Sequence, residues 1–303
     1  MSKLHQFFLL VCSVSLFGII LVYSSLVLSF EEDSEKVPGN SEFFFRAQEK
    51  QWVTELKGLI GTREYTDSNV SPHDLTRFGL QLIYGFDETI NLGVRGSFLE
   101  KVESKNNTIA EGFGDPEVFL LTQNENVFVA IGLTLHVAKA TIKTTRLGGN
   151  QFYFSYGVDY GNDSWSYGFN TQIDLYTDRR IYQPDEVTYA RLEGSSGLKL
   201  SFFGEKKWEN RGLLGASVLL EYLSEVKYRY SPLGQLARIH SYPAPFFEAY
   251  ARLNANDHFH LIVGGGITLG KHLQRMKFEL PVVSESTSEY SLSYYYLEVR
   301  VIF

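Results

Sequence analysis

The chain has almost no cysteine. Its single one, Cys12, lies inside an N-terminal apolar run, so the rest of the chain forms no disulfide and offers no thiol chemistry. Proline is scarce as well, with 8 in 303 residues, while aromatics reach 15%; that balance argues against disorder, which is poor in aromatics. Positive charge is in deficit. The formal charge of -7, without a basic stripe, argues against nucleic acid as a partner. Beyond residue 28 there is no long apolar run, and the mean hydropathy of -0.13 excludes a bundle of membrane helices. A membrane barrel is not excluded, because its apolar residues occupy only every second position.

The motifs of catalysis are missing too. No phosphate loop or dinucleotide fingerprint occurs, and Gly264-Gly265-Gly266 sits within a strand-like run with no helix after it. His136, His258 and His260 have no nucleophile motif nearby. His258 and His260, two apart, read as a pair at a lumen rim, since a third metal ligand is not apparent. The expectation is therefore no enzyme, no cofactor and no metal.

What is present starts with an export signal. Lys3 and His5 precede an apolar run from Phe7 to Leu28, so residues 1–29 read as a signal peptide, cut before Phe30 or after Val22-Tyr23-Ser24. Acylation at Cys12 is set aside, because Val11 stands where a small residue belongs and the apolar run continues. Residues 30–48 are acidic, then aromatic, and read either as a periplasmic lead-in or as a segment tucked into a lumen.

From residue 49 onward the chain falls into about twelve strand-like runs. Near 127–139, Val127, Val129, Ile131, Leu133 and Leu135 alternate with Ala130, Gly132, Thr134 and His136. Near 151–160, Phe152, Phe154, Tyr156 and Val158 alternate with Tyr153, Ser155, Gly157 and Asp159. Every second connection is short and built from turn formers: Asp87-Glu88, Asn124-Glu125-Asn126, Gly161-Asn162-Asp163 and Asn256-Asp257, with a longer one at 204–212. The others are long and polar, among them Tyr228–Tyr242 and His272–Glu289. Short turns at one end and long loops at the other are the habit of outer-membrane barrels. Trp52, Tyr84, Phe86, Tyr160, Trp165, Tyr222 and Phe303 fall at strand ends on the apolar face, where interfacial girdles form. The expected fold is all-β, a transmembrane antiparallel up-and-down barrel of about 12 strands over residues 49–303.

The last strand carries a further signal. Tyr295, Leu297, Val299, Val301 and Phe303 share one face, and the sequence ends on that phenylalanine. This pattern resembles the sorting signal of bacterial outer-membrane barrels, which implies outer-membrane lipid and the barrel-assembly machinery as partners. Gly112-Phe113-Gly114-Asp115-Pro116, leading into Val118-Phe119-Leu120, resembles an element opening an inner strand in a family of small outer-membrane barrels. That family is labelled with the meta-pathway of phenol degradation, and the resemblance implies a channel or uptake protein. On physical grounds the glycines permit an unusual turn and Asp115 caps backbone amides there.

The polar face would line the lumen. Arg77, Arg95, Arg252 and Arg300 fall on neighbouring staves of a closed barrel, with Asp159 and Asp174 opposite. These charges either brace the lumen in pairs or line a path for a small solute. The function expected is passive passage or uptake; the alternative is a non-conducting barrel, structural or adhesive, whose outer loops bind a partner.

Overall fold

A computed structural model describes residues 41–105, 107–124, 126–137, 149–182, 189–208, 211–231, 235–280 and 283–303. The signal-peptide reading and most of the lead-in fall outside the described residues.

The first half of the wall is built from β1 (Trp52–Tyr65), β2 (His73–Gly85), β3 (Ile90–Ser104), β4 (Asn107–Gly112), β5 (Glu117–Asn124), β6 (Val127–Thr134), β7 (Gln151–Gly161) and β8 (Trp165–Tyr176). It continues through β9 (Arg179–Tyr182), β10 (Tyr189–Leu192), β11 (Ser196–Trp208), β12 (Gly212–Leu223) and β13 (Val226–Ser231). Then come β14 (Gln235–Tyr242), β15 (Phe246–Asn256), β16 (Phe259–Thr268), β17 (His272–Leu280) and β18 (Ser284–Ile302). All neighbours pair antiparallel. β18 returns to β1 in a ladder running from Val53↔Ile302 to Tyr65↔Tyr290, which closes the sheet.

Several staves are broken in two, so the eighteen strands make a closed barrel of twelve. β4 stands above β5, β9 above β8, and β10 above β11; β13, β14 and β17 likewise continue β12, β15 and β16. The breaks have local causes. Pro243 and Pro245, between β14 and β15, have no N–H to give a ladder. Alongside them Gly270 takes φ +113, a conformation that L side chains resist.

The stretches Tyr228–Tyr242 and His272–Glu289, expected as loops, are largely strand. They alternate too: Val226 and Tyr228 with Lys227 and Arg229, and Met276 and Phe278 with Arg275 and Lys277. Leu192, Val226 and Ile239 form a buried apolar cluster with Tyr228 and Met276 against it, while charged residues take the other face. The 204–212 connection is shorter than expected, since β11 runs on to Trp208 and carries the buried Glu205. The short turns form as expected. Asp87 Oδ1 accepts the Thr89 and Ile90 amides, each at 2.7 Å, and Asn162 Oδ1 those of Ser164 and Trp165, each at 2.9 Å. The Thr89 amide and hydroxyl hold the Asp87 carboxyl below its usual range.

Alternation sorts the two faces. Ile131, Leu133, Phe152, Phe154, Ile173 and Leu175 are exposed outward, while Ala130, Tyr153, Ser155 and Asp174 are buried. At the turn end Trp52 meets Tyr84 at 4.8 Å, and Tyr84 meets Phe86 at 5.0 Å. An apolar outer belt ringed by aromatics belongs in a bilayer.

Candidate functional site

The interior is organised around residues 41–47, which lie against inward side chains at the turn end. Two buried carboxylates hold this segment by its backbone. Asp159 accepts the Ser41 hydroxyl at 2.6 Å and amide at 3.1 Å. Glu205 accepts the Glu42 and Phe43 amides, both at 3.0 Å, and the Tyr250 hydroxyl at 2.6 Å. Asn91 Oδ1 accepts the Ala47 amide at 2.7 Å. Phe43 stacks on Phe203 at 4.5 Å and Phe44 on Phe128 at 4.4 Å. A Cβ on Gly157 would stand 2.4 Å from the Phe44 ring, so only glycine lets that ring reach the wall. The result is an apolar floor with Val53, Ile83 and Ile302 packed into it.

Ion pairs surround the floor. Glu42 accepts from Arg252 Nη1 at 2.8 Å and Arg300 Nη1 at 3.0 Å. Burial alone would raise the Glu42 carboxyl, but the Arg300 and Arg252 guanidiniums outweigh it and hold it below the usual carboxylate range. Arg300 also donates to Glu55 at 2.6 Å, lies 3.3 Å from Glu298, and covers the Phe45 ring at 3.5 Å.

Above this floor is a cavity of about 840 Å³. Its walls pair Arg77 with Glu100 at 2.9 Å, Arg95 with Glu117 at 2.8 Å, Lys57 with Glu298 at 3.5 Å and Lys199 with Asp174 at 2.7 Å. The pairs are radially sorted. The Arg77 and Arg95 side chains are 48% and 51% exposed, their carboxylates 11% each. Cations meet the water and acids sit in the wall. Inward rings of Tyr153, Tyr250 and Tyr296 lie over Gly132, Gly215 and Gly264 of adjoining strands, where any Cβ would come within 2.5 Å of a ring atom. Those glycines, legible in the sequence only as small inner-face residues, are seats for aromatic rings.

The expected lumen residues are thus placed as follows. Arg77, Arg95 and Arg300 line the cavity. Arg252 is turned to Glu42. Each of the four arginines has a carboxylate within 2.9 Å, so they form no uncompensated basic strip. Asp159 and Asp174 are fully buried rather than facing the arginines across water. His258 lies exposed on a turn, with Nδ1 3.0 Å from the Ile302 carbonyl, and His260 is buried in β16, so they are not a rim pair. Asp115 accepts the Val137 amide at 2.9 Å, an amide just past the end of β6 rather than one in its own turn. Gly114 is needed for closeness, not for a special φ: a Cβ there would stand 2.6 Å from Glu100. Glu42, Glu205 and Tyr250 were not singled out by the sequence, although the triple phenylalanine before the first strand was a visible apolar cap.

Closed wall, apolar belt and filled interior define an outer-membrane β-barrel with a capped lumen. Among solved structures the fold is similar to an outer membrane channel from Pseudomonas putida F1, at 10% identity over 87% of this chain and 99% of that one, with a TM-score of 0.59. Weaker likenesses are to the TodX monoaromatic hydrocarbon channel, at 9% identity over 87% and 92% and a TM-score of 0.45, and to the Ralstonia pickettii toluene transporter TbuX, at 8% over 88% and 92% and 0.40. No family model matches the chain, and no curated protein does.

Proposed function

We propose that the protein is a passive channel for a small solute, with residues 41–47 as the floor that limits passage. The reading rests on one observation: Arg77 and Arg95 on the cavity wall stand about half exposed to water while their carboxylates lie in the wall. Such a lumen favours anions over cations. The channel fold of the P. putida protein supports it. We ascribe no catalysis, cofactor or nucleic-acid partner to the barrel, and we take residues 1–29 to be removed on export.

Planar-bilayer recording of the refolded protein tests this. Open-channel steps are expected, and Arg77→Gln with Arg95→Gln should shift the permeability ratio toward cations by at least about two-fold. Phe44→Ser should raise open time by loosening the floor. Silence in wild type and in Phe44→Ser alike would refute the channel and favour the non-conducting reading, for which the sealed floor is the specific support.

The outward row Tyr295, Leu297, Val299, Val301 and Phe303 is proposed as the sorting signal read by the assembly machinery. Phe303→Asp should leave protein in the periplasm, measured by membrane fractionation; normal outer-membrane yield would refute it.

A further inference from the structure

One cation of the inner face differs from those just described. Arg63 lies on β1, on the lumen side with Glu55, Lys57 and Leu59, and about 20 Å along the strand from Lys57 at roughly 3.3 Å per residue. Its side chain makes no ion pair with any described residue, and its buried Nε has no hydrogen-bond partner among them. Its guanidinium lies over an aromatic face, Tyr290, at 4.8 Å from the ring centroid.

Around it the register gathers aromatic donors. His73 is the β2 residue directly opposite Arg63, Tyr290 is opposite Tyr65 across β1 and β18, and His272 is opposite Tyr290 across β17 and β18. Tyr65 meets the His73 ring at 5.0 Å and Tyr290 at 6.0 Å, and His272 meets Tyr290 at 4.9 Å. The ring nitrogens are then assigned by their partners. The Ala244 amide donates to His272 Nδ1 at 3.0 Å, so the neutral ring keeps its proton on Nε2. Taking the Tyr65 hydroxyl as donor to His73 Nδ1, 3.1 Å away, leaves His73 in the same state. A guanidinium and two imidazole N–H groups are therefore grouped without an acceptor of their own among the described residues.

The nearby acids do not supply one. Glu64, Asp74, Glu103 and Glu289 have the opposite strand parity, so they point away from the lumen. Thr62 engages Asp74, and Lys101 engages Glu103. Glu221, the inward carboxylate nearest Tyr290 electrostatically, lies 3.9 Å from Lys199.

We infer that Arg63, His73 and His272, walled by Tyr65 and Tyr290, form a binding site for a small organic carboxylate at the outer part of the lumen. A guanidinium fork matches a carboxylate edge to edge, and flat ring walls admit a planar oxyanion better than a tetrahedral one. The site deepens the channel reading, on which it rests for a route onward to Arg77 and Arg95. It supplies the step that a row of paired charges lacks, a cation with no carboxylate partner among the described residues.

The test is ligand-observed saturation-transfer NMR on the refolded full chain in detergent, with propionate as probe, propionamide as its neutral isostere and inorganic phosphate as competitor. Propionate should give a transfer signal and propionamide none. Arg63→Gln should weaken propionate binding by about ten-fold or more, and Arg63→Lys, which keeps the charge and loses the fork, by an intermediate factor. Lys101→Gln, on the outward face, should leave it unchanged. Heat-modifiable mobility on gels checks folding, and Arg63→Lys serves as the second variant should Arg63→Gln fold poorly. Unchanged binding in a folded Arg63 variant, or propionamide binding as well as propionate, would overturn the site. Phosphate displacing propionate at lower concentration would overturn the carboxylate class. Because no current is measured, a silent barrel that binds propionate refutes the channel and keeps the site, whereas a conducting barrel that does not bind refutes the site alone.

Discussion

Replacing Arg300 with methionine is expected to destabilise the barrel by about 3–5 kcal/mol, measured as a lower urea midpoint for unfolding from detergent or lipid. Its side chain is only 3% exposed and is shared among Glu42, Glu55 and Glu298. Methionine has a similar reach but no charge. Removal leaves Glu55 with the Gln81 amide alone, at 2.6 Å, and Glu42 with Arg252. Carboxylates stranded without water or a partner are costly. Adding Glu55→Gln to Arg300→Met should recover part of the loss, because it removes one of the stranded charges. Arg77→Met is the contrast: its pair with Glu100 is half in water, and its loss should cost under about 1 kcal/mol. Equal costs at Arg300 and Arg77 would mean that the floor network is not the anchor described.

Arginine at Ile131 should destabilise by about 2–4 kcal/mol if the residue meets the bilayer midplane. Ile131 is exposed on the outer face, opposite Leu120 and Phe154 on the neighbouring strands. Arginine at Ser217, on the cavity wall, should cost about 0.5 kcal/mol or less. The neighbours of Ile131 are poor controls, even though they face inward. At Gly132 any side chain would meet the Tyr153 ring at 2.4 Å, and Thr134 is buried and donates to Glu117 at 3.3 Å. Refolding yield and urea titration in lipid vesicles would measure both. Comparable damage at Ile131 and Ser217 would contradict an outer face in lipid and a wet interior.

The wall was legible because lipid imposes a period of two. Wherever one face meets hydrocarbon, as from Val127 to Thr134, strand and facing follow directly from the residues. In β13, β14 and β17 the alternation is short and interrupted by charge, and the apolar side is the one buried with Leu192, Val226 and Ile239, so these runs read as polar loop. The interior was legible only by parity. That Arg95 and Arg300 point inward follows from their position in a strand; that one meets Glu117 and the other Glu42 does not, because pairing depends on stagger around a closed ring. Glu205 was hidden differently. It stands in a stretch that looks like a polar turn, and its role is to receive amides from residues 163 and 162 positions away in the chain.

That remoteness has a consequence for biogenesis. The capping segment precedes every strand, yet its partners include Arg252 and Arg300, the latter 258 residues downstream. The segment's contacts with Arg300 can form only at the end, once β18 has been made and met β1. Such long-range closure makes for slow folding steps. Asp159 and Glu205, on β7 and β11, are available earlier to hold the Ser41, Glu42 and Phe43 amides, but until β18 arrives Glu42 lacks its Arg300 guanidinium. The segment is thus anchored twice, by its phenylalanines on the middle strands and by Glu42 on the last one, so closure of the wall and locking of the floor are the same contact.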